Sequence, residues 1–382
     1  MKKRIGIDAR FYGTLGKGLG RYTQKLIEYL EKIESENSEG DREYFIFLRK
    51  ANFEEYQPKN KNFHKVLADY RWYTFSEQFN MPRLLNRYQL DLVHFPHFNV
   101  PIFYFRPFIV TIHDLILLNF PTVRGTTLSP FFYWIKFWAY KLVIGAGVKR
   151  SRKIIAVSEF TKKDLCRQYL GIESKTSVTL EACDLVGEIN EDKERDFLIM
   201  KKYGIIKPYA LYVGNAYPHK NLERLIRVFS RIEKGNSKLN LVLVGKEDFF
   251  YKKLKALVRD LDAKNIIFTG FVDDGDLNIA YRNSKMYVFP SLYEGFGLPP
   301  LEAMNRGIPV ACSDHECMQE ILGGSAYYFD GEDEKSMMNA ILNLDNGKDL
   351  RSNLIKKGVR QSGKYDWGRM AEETKTIYEK VI

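Results

Sequence analysis

The chain has 382 residues, long enough for two domains that each bury a core of their own. Its 45% hydrophobic and 28% charged residues are those of a globular protein and exclude a disordered or fibrous one. The formal net charge of +11 favours anionic partners (phosphorylated substrates, anionic lipid or nucleic acid) without choosing among them.

The basic N-terminus runs straight into a short strand, Arg4–Asp8, and not into the apolar core of a signal peptide. No run of about eighteen apolar residues is present to span a membrane. Gly13, Gly16, Gly18 and Gly20 punctuate a loop before a helix expected over about 20–33, with Tyr22, Leu26, Ile27, Tyr29 and Leu30 on its apolar stripe. The acidic stretch Glu31–Glu43 reads as a surface turn before the strand Tyr44–Leu48. The strands Leu90–Phe95 and Pro107–Ile112 follow, the second ending in His113-Asp114. Ligands of doubly wound sheets collect at the carboxyl ends of strands, so His113 is placed for work, whereas His94 and His97 read as structural.

Between Asp114 and Glu159 there is no acidic residue, yet Arg124, Lys136, Lys141, Lys149, Arg150, Arg152 and Lys153 fall there. The same region carries a helix-length segment from Pro130 crowded with Phe, Trp and Tyr. Interface helices pair such aromatics with Lys and Arg, which implies peripheral association with an anionic membrane. The favoured and compatible alternative is a core helix whose lysines snorkel to solvent.

Lys153–Val157 reads as a strand, with Ser158 capping the next helix. The irregular, charged stretch Asp184–Asp196 reads as an interdomain connection. A second alternation of strands (Tyr209–Val213, Leu241–Val244, Ile266–Thr269, Met286–Phe289) and helices implies a second parallel sheet. Lys220 follows the loop after the first of these strands, beside a helix over 222–232 that Asn221 is placed to cap. There it can neutralise a diphosphate, with Asn215 five residues earlier as a hydrogen-bonding but uncharged neighbour. Asp274-Gly-Asp276 precedes a helical run, where aspartates cap and complement the dipole, so no metal site is expected. The four cysteines, Cys166, Cys183, Cys312 and Cys317, are too sparse for a disulfide framework and lack a histidine cluster for zinc. A reducing cytoplasm is the simplest setting.

The densest stretch is residues 286–310. A buried strand is stopped by Pro290, a glycine-bearing turn carries Glu294, and Pro299 and Pro300 open a short helix, Leu301–Arg306, with Glu302 in its first turn. The free N–H groups of Phe296, Gly297 and Leu298 suit an anion, and two carboxylates suit a polyol. A dipole-complementing Glu302 and a solvated Glu294 fit the same residues, so the pattern alone leaves both readings open.

Glu294 and Glu302, separated by seven residues within Glu-Gly-Phe-Gly-Leu-Pro-Pro-Leu-Glu-Ala-Met, resemble the glutamate-x7-glutamate signature of the family 4 retaining glycosyltransferases. Thr-Ile-His-Asp-Leu, Ala-Val-Ser-Glu-Phe-Thr and Gly-Leu-Gly-Arg-Tyr resemble further elements of that family, and the likeness covers nearly the whole chain. It implies an α/β fold of two Rossmann-like doubly wound domains facing a cleft, the GT-B architecture. The expected division is 1–188 on the acceptor side, 189–364 for the nucleotide-sugar, and a last helix over 365–382 crossing back. The resemblance implies catalytic roles for His113 (donor sugar), Lys220 (diphosphate) and Glu294 (donor sugar). It assigns Glu302 to the ribose, and Gly18, Asn215, Phe296, Gly297 and Leu298 to the bound substrate. Asn215 departs from the arginine common at that position. Likeness to mannosyl- and rhamnosyl-type branches makes GDP-mannose the first expected donor and UDP-sugars the second. The acceptor is expected to be a glycan or lipid-linked, at the inner membrane face, with no nucleic acid partner and no cofactor. A sugar phosphorylase with pyridoxal phosphate and a catalytically degenerate glycan binder are the alternatives.

Overall fold

The computed structural model describes residues 2–13, 16–36, 41–122, 126, 129–184, 192–235 and 237–382. Arg124 and most of the expected connection, 185–191, lie outside the described residues. The chain groups into two units: residues 1–119, 130–182 and 366–382 form unit 1, and 120–129 with 183–365 form unit 2.

Unit 1 has, among the described residues, seven strands: β1 (Lys3–Asp8), β2 (Arg42–Leu48), β3 (Phe63–Leu67), β4 (Leu92–Phe95), β5 (Phe108–Ile112), β6 (Lys153–Ala156) and β7 (Thr176–Val178). Their order is β3-β2-β1-β4-β5-β6-β7 and every pairing is parallel. The central strands β4 and β5 are buried throughout, as near-continuous apolar runs covered on both faces must be. Helices α1 (Lys17–Glu36), α2 (Phe75–Arg87), α3 (Ile116–Asn119), α4 (Pro130–Arg150) and α5 (Glu159–Gln168) connect them. Ser158 caps α5 as its sequence implies, accepting from the Thr161 amide at 3.0 Å.

Unit 2 repeats the plan with six strands among the described residues: β8 (Tyr209–Val213), β9 (Asn240–Val244), β10 (Ile266–Gly270), β11 (Met286–Phe289), β12 (Val310–Ser313) and β13 (Tyr327–Phe329), in the order β10-β9-β8-β11-β12-β13. Its helices are α6 (Lys193–Lys202), α7 (Leu222–Lys234), α8 (Phe249–Asp260), α9 (Asp274–Arg282), α10 (Leu298–Asn305), α11 (Glu316–Leu322), α12 (Glu334–Asn346) and α13 (Lys348–Ser362). The last helix, α14 (Trp367–Glu379), belongs to unit 1, where Tyr378 hydrogen-bonds His94 at 2.7 Å. Both sheets reverse direction once, between β1 and β4 and between β8 and β11. The carboxyl ends of such strand pairs are where doubly wound sheets receive ligands.

Four strands escape the sequence reading: β3, β7, β12 and β13. The first two are edge strands carrying His64, Lys65, Thr176 and Ser177, polar residues that hide the apolar pattern. The larger correction concerns α4. Only Tyr133, Ile144, Gly147 and Val148 are buried, whereas Phe131 (70% exposed), Phe132, Trp134, Ile135, Trp138 (63%) and Leu142 face solvent. The core reading therefore fails for most of the first two-thirds of this helix, where Tyr133 alone is buried, while its C-terminal third packs on the core.

Candidate active site

The site in unit 2 grows from the ends of the neighbouring strands β8 and β11. After β8 the loop 214–217 is pinned from below: the Tyr251 hydroxyl donates to the Gly214 carbonyl at 2.8 Å and that of Tyr212 to the Asn215 carbonyl at 2.8 Å. Asn215 receives the Tyr217 amide on its side-chain oxygen at 3.4 Å, which leaves its NH2 group without a protein acceptor among the described residues. A single 3-10 turn, Pro218–Lys220, then delivers Lys220.

Asn221 does not cap α7 with its side chain. It sits in the left-handed region at φ 59°, and its amide donates to the carbonyls of Pro290 at 3.2 Å and Gly331 at 2.7 Å. That amide ties the end of β8 to the end of β11. The tie brings Lys220 and Glu294 together, with Nζ 2.5 Å from Oε1 and the side chains only 14% and 11% exposed. Burial pushes the Glu294 carboxyl up, but the Lys220 ammonium overcomes it and holds the group below its ordinary value. His219 is pushed down to about 4, first by burial and then by Lys220, and stays neutral.

The chain next enters α10 through Gly297 at φ 92°, a position where a Cβ would collide with the Met318 side chain. The helix starts at Leu298, three residues before its expected start, because Pro299 and Pro300 lie inside its first turn. Glu302 consequently falls in the second turn and is half-buried. Its carboxylate lies close enough to Cys183 to help burial push that thiol up to about 12. The amides of Phe296, Gly297 and Leu298 have no protein acceptor among the described residues. One cation, one carboxylate and a row of free N–H groups thus stand at two adjacent strand ends. Arg224 is anchored through Nη1, which donates to the Gly331 carbonyl at 2.6 Å and to Asn221 at 3.0 Å.

In the Asp-Gly-Asp segment, Asp273 caps α9 by accepting from the Asp276 amide, and the Asp276 carboxylate accepts from Lys202 at 2.7 Å and Tyr203 at 2.9 Å. Unit 1 holds Gly18 and His113. Gly18 is the second residue of α1, with nothing within 4 Å of where its Cβ would be. The close packing that demands glycine falls instead on Gly16 and Gly20, against the carbonyls of Phe11 and Gly13. His113, at the end of β5, is not a free imidazole: Nδ1 lies 2.7 Å from the Glu181 carboxylate and Nε2 3.0 Å from the Pro96 carbonyl. Burial pulls its pKa down, yet these acceptors outweigh burial and raise it. Glu181 was not singled out from sequence, because its partner His113 lies 68 residues away; Asn221 was read only as a helix cap, because its carbonyl partners lie far along the chain.

This constellation on a doubly wound unit offers a cation and free N–H groups to an anion and a carboxylate to hydroxyl groups. Residues 16–181 match the family described as Glycosyltransferase Family 4 and residues 197–361 the one described as Glycosyl transferases group 1. The chain belongs to this family of glycosyltransferases.

Among its relatives is the O-antigen chain mannosyltransferase RfbU of Salmonella typhimurium, 29% identical over 266 residues, which are 69% of this chain and 70% of that protein. The O-antigen chain mannosyltransferase B of Escherichia coli is 26% identical over 298 residues, covering 77% and 76%. Among solved structures, the sucrose-phosphate synthase of Thermosynechococcus elongatus superposes with a TM-score of 0.75 at 16% identity over 99% of both chains, which shows the shared GT-B fold.

Proposed function

We propose that the protein transfers a sugar from a nucleotide-sugar to a glycan or lipid-linked acceptor, with retention of anomeric configuration and without a divalent metal. The observation that carries this reading is the Lys220–Glu294 pair beside the unpartnered amides of Phe296, Gly297 and Leu298. A diphosphate at those amides competes with Glu294 for the Lys220 ammonium. Winning it frees the Glu294 carboxylate to accept hydrogen bonds from the donor sugar. Glu302 holds the ribose, and the Asn215 NH2 group offers a further phosphate donor. As the bond from anomeric carbon to phosphate oxygen breaks, Lys220 and the α10 N-terminus stabilise the charge that develops on the leaving diphosphate. The acceptor oxygen attacks from the same face and its proton passes to that phosphate oxygen, so no strong protein base is required.

The relatives' mannosyltransferase names support GDP-mannose as the first donor to try, with UDP-sugars second, and a place in cell-surface polysaccharide synthesis. A lipid-linked acceptor at the cytoplasmic face of an anionic membrane is supported by unit 1. Beside the exposed aromatics of α4, Lys141 lies 4.9 Å over the Trp138 ring. A second aromatic patch continues from the end of that helix: Phe75 is 87% exposed, Phe79 stacks on Phe103 at 4.8 Å, and Arg150 lies 4.6 Å over the ring of exposed Phe105. Aromatic rings that pair with cations at the surface suit a lipid interface. No described helix is long and apolar enough to cross a membrane.

The test is to incubate the purified protein with GDP-mannose, UDP-glucose and other nucleotide-sugars plus a lipid-linked oligosaccharide. Nucleoside diphosphate release is followed and the product's anomeric configuration read by NMR. Release from one donor with a retained α-linkage is expected. No release from any donor, or an inverted product, refutes the proposal.

A further inference from the structure

Two histidines of unit 1, His94 buried and His113 half-buried, satisfy their rings in opposite ways. His94 faces two hydroxyls, Tyr378 at 2.7 Å and Thr111 at 2.8 Å, and hydroxyls both donate and accept, so a neutral ring is fully paired there. Burial, followed by the charge on His113, pushes His94 down to about 3, and His97 is lowered by the same causes with Arg10 added. His113 faces acceptors on both sides: the carboxylate of Glu181 and the main-chain oxygen of Pro96. A neutral imidazole carries one N–H and leaves one of these contacts oxygen-to-lone-pair. The imidazolium, with two N–H groups, fits both.

We propose that Glu181 is a positioning residue that holds His113 as an imidazolium, so that the ring at the carboxyl end of β5 stays doubly protonated and fixed in orientation by its two acceptors. His113 is then neither a general base nor a neutral sugar-binding ring. The surroundings are consistent with one charge held at one place. Tyr22 stands edge-on to the ring at 4.7 Å, and Asp114 adds a second negative charge in sequence. His94 and His97 are kept neutral, and the Arg10 cation beyond His97 is occupied by the buried carboxylates of Asp8 and Glu77. Glu181 itself is 5% exposed, well shielded from solvent screening.

The charge state is read without any activity assay; only the kinetic arm rests on the transferase reading. Long-range proton–nitrogen spectra of protein labelled in its six histidines, with His113→Gln to assign the signal, report whether both ring nitrogens carry hydrogens. The expected result is a doubly protonated His113 from pH 6 to 8. Glu181→Gln keeps an acceptor but removes the charge, so His113 should titrate within that range. Its kcat/KM should fall about tenfold per pH unit above the new pKa while staying near wild type at pH 5.5. Glu181→Asp should restore most of the flat profile. A singly protonated His113 in the wild type, with the shared proton on Glu181, overturns the proposal whatever the variants do. An unchanged His113 spectrum in Glu181→Gln overturns the role of Glu181.

Discussion

Lys220→Met tests the ion pair at the centre of the site. Removing the ammonium leaves Glu294 as a buried carboxylate with no counter-charge, a change that costs about 3–5 kcal/mol when both partners are fully buried. The residual exposure of 14% and 11% places the loss at the lower end, about 3 kcal/mol, or a fall in Tm of roughly 6–12 °C for a unit of this size. The pH dependence gives the sign. In the wild type the Glu294 pKa is depressed, so its contribution is present above the ordinary carboxylate range and is lost as pH falls through the folded value. Without Lys220 burial dominates and raises that pKa. The variant's deficit should therefore shrink as pH falls toward 5, where the carboxyl takes up a proton. Glu294→Gln added to Lys220→Met removes the orphaned charge and should recover about 2 kcal/mol, while transfer stays at least about tenfold down because the diphosphate has still lost its cation. Thermal unfolding and kcat/KM of the two single variants and the double variant, at pH 5 and 7.5, are the measurements. Strictly additive stability losses with wild-type turnover would refute both the pairing and the phosphate role.

Asn221→Ala should cost about 2–4 kcal/mol and lower turnover, since the buried Pro290 carbonyl loses its side-chain donor, the Gly331 carbonyl keeps only Arg224, and alanine resents φ 59°; unchanged stability would remove the tie between the strand ends. Excess EDTA should leave transfer unchanged, and restoration by manganese of an EDTA-inhibited enzyme would contradict the metal-free mechanism. The exposed Trp134 and Trp138 report on lipid in a Trp72→Phe background, as Trp72 is only half-buried against Phe11 while Trp367 is buried. Anionic vesicles should shift their fluorescence to the blue, with brominated lipid quenching it, and Trp134→Glu with Trp138→Glu should abolish pelleting with vesicles. Equal responses to anionic and neutral vesicles would remove the charge component, worth about 1 kcal/mol per basic residue.

The fold was legible where strands are long apolar runs bounded by Pro or Gly, as in β8 and β11, and illegible where edge strands mix in polar residues, as in β3. Family likeness suggested roles for Lys220 and Glu294, but not that they bind each other across 74 residues of sequence. That contact depends on Asn221 reaching Pro290, a long-range amide-to-carbonyl bond with no local pattern. Glu181 escaped for a related reason: it follows β7, whose Thr-Ser-Val sequence gives little strand signal. The aromatic segment of α4 showed its composition but not its orientation. Apolar residues all around a helix define no single buried face, and only the packing of its C-terminal end decides which rings are left exposed.

The most direct measurement is calorimetric titration of GDP, UDP, ADP and dTDP into the wild-type protein and Lys220→Met. One diphosphate should bind the wild type with a one-to-one stoichiometry, and the substitution should weaken it at least about tenfold, the worth of a charge-assisted contact of roughly 1.5–3 kcal/mol. Equal affinity in both proteins, or no binding of any diphosphate, would contradict the placement of the donor beside Lys220 and the α10 N-terminus.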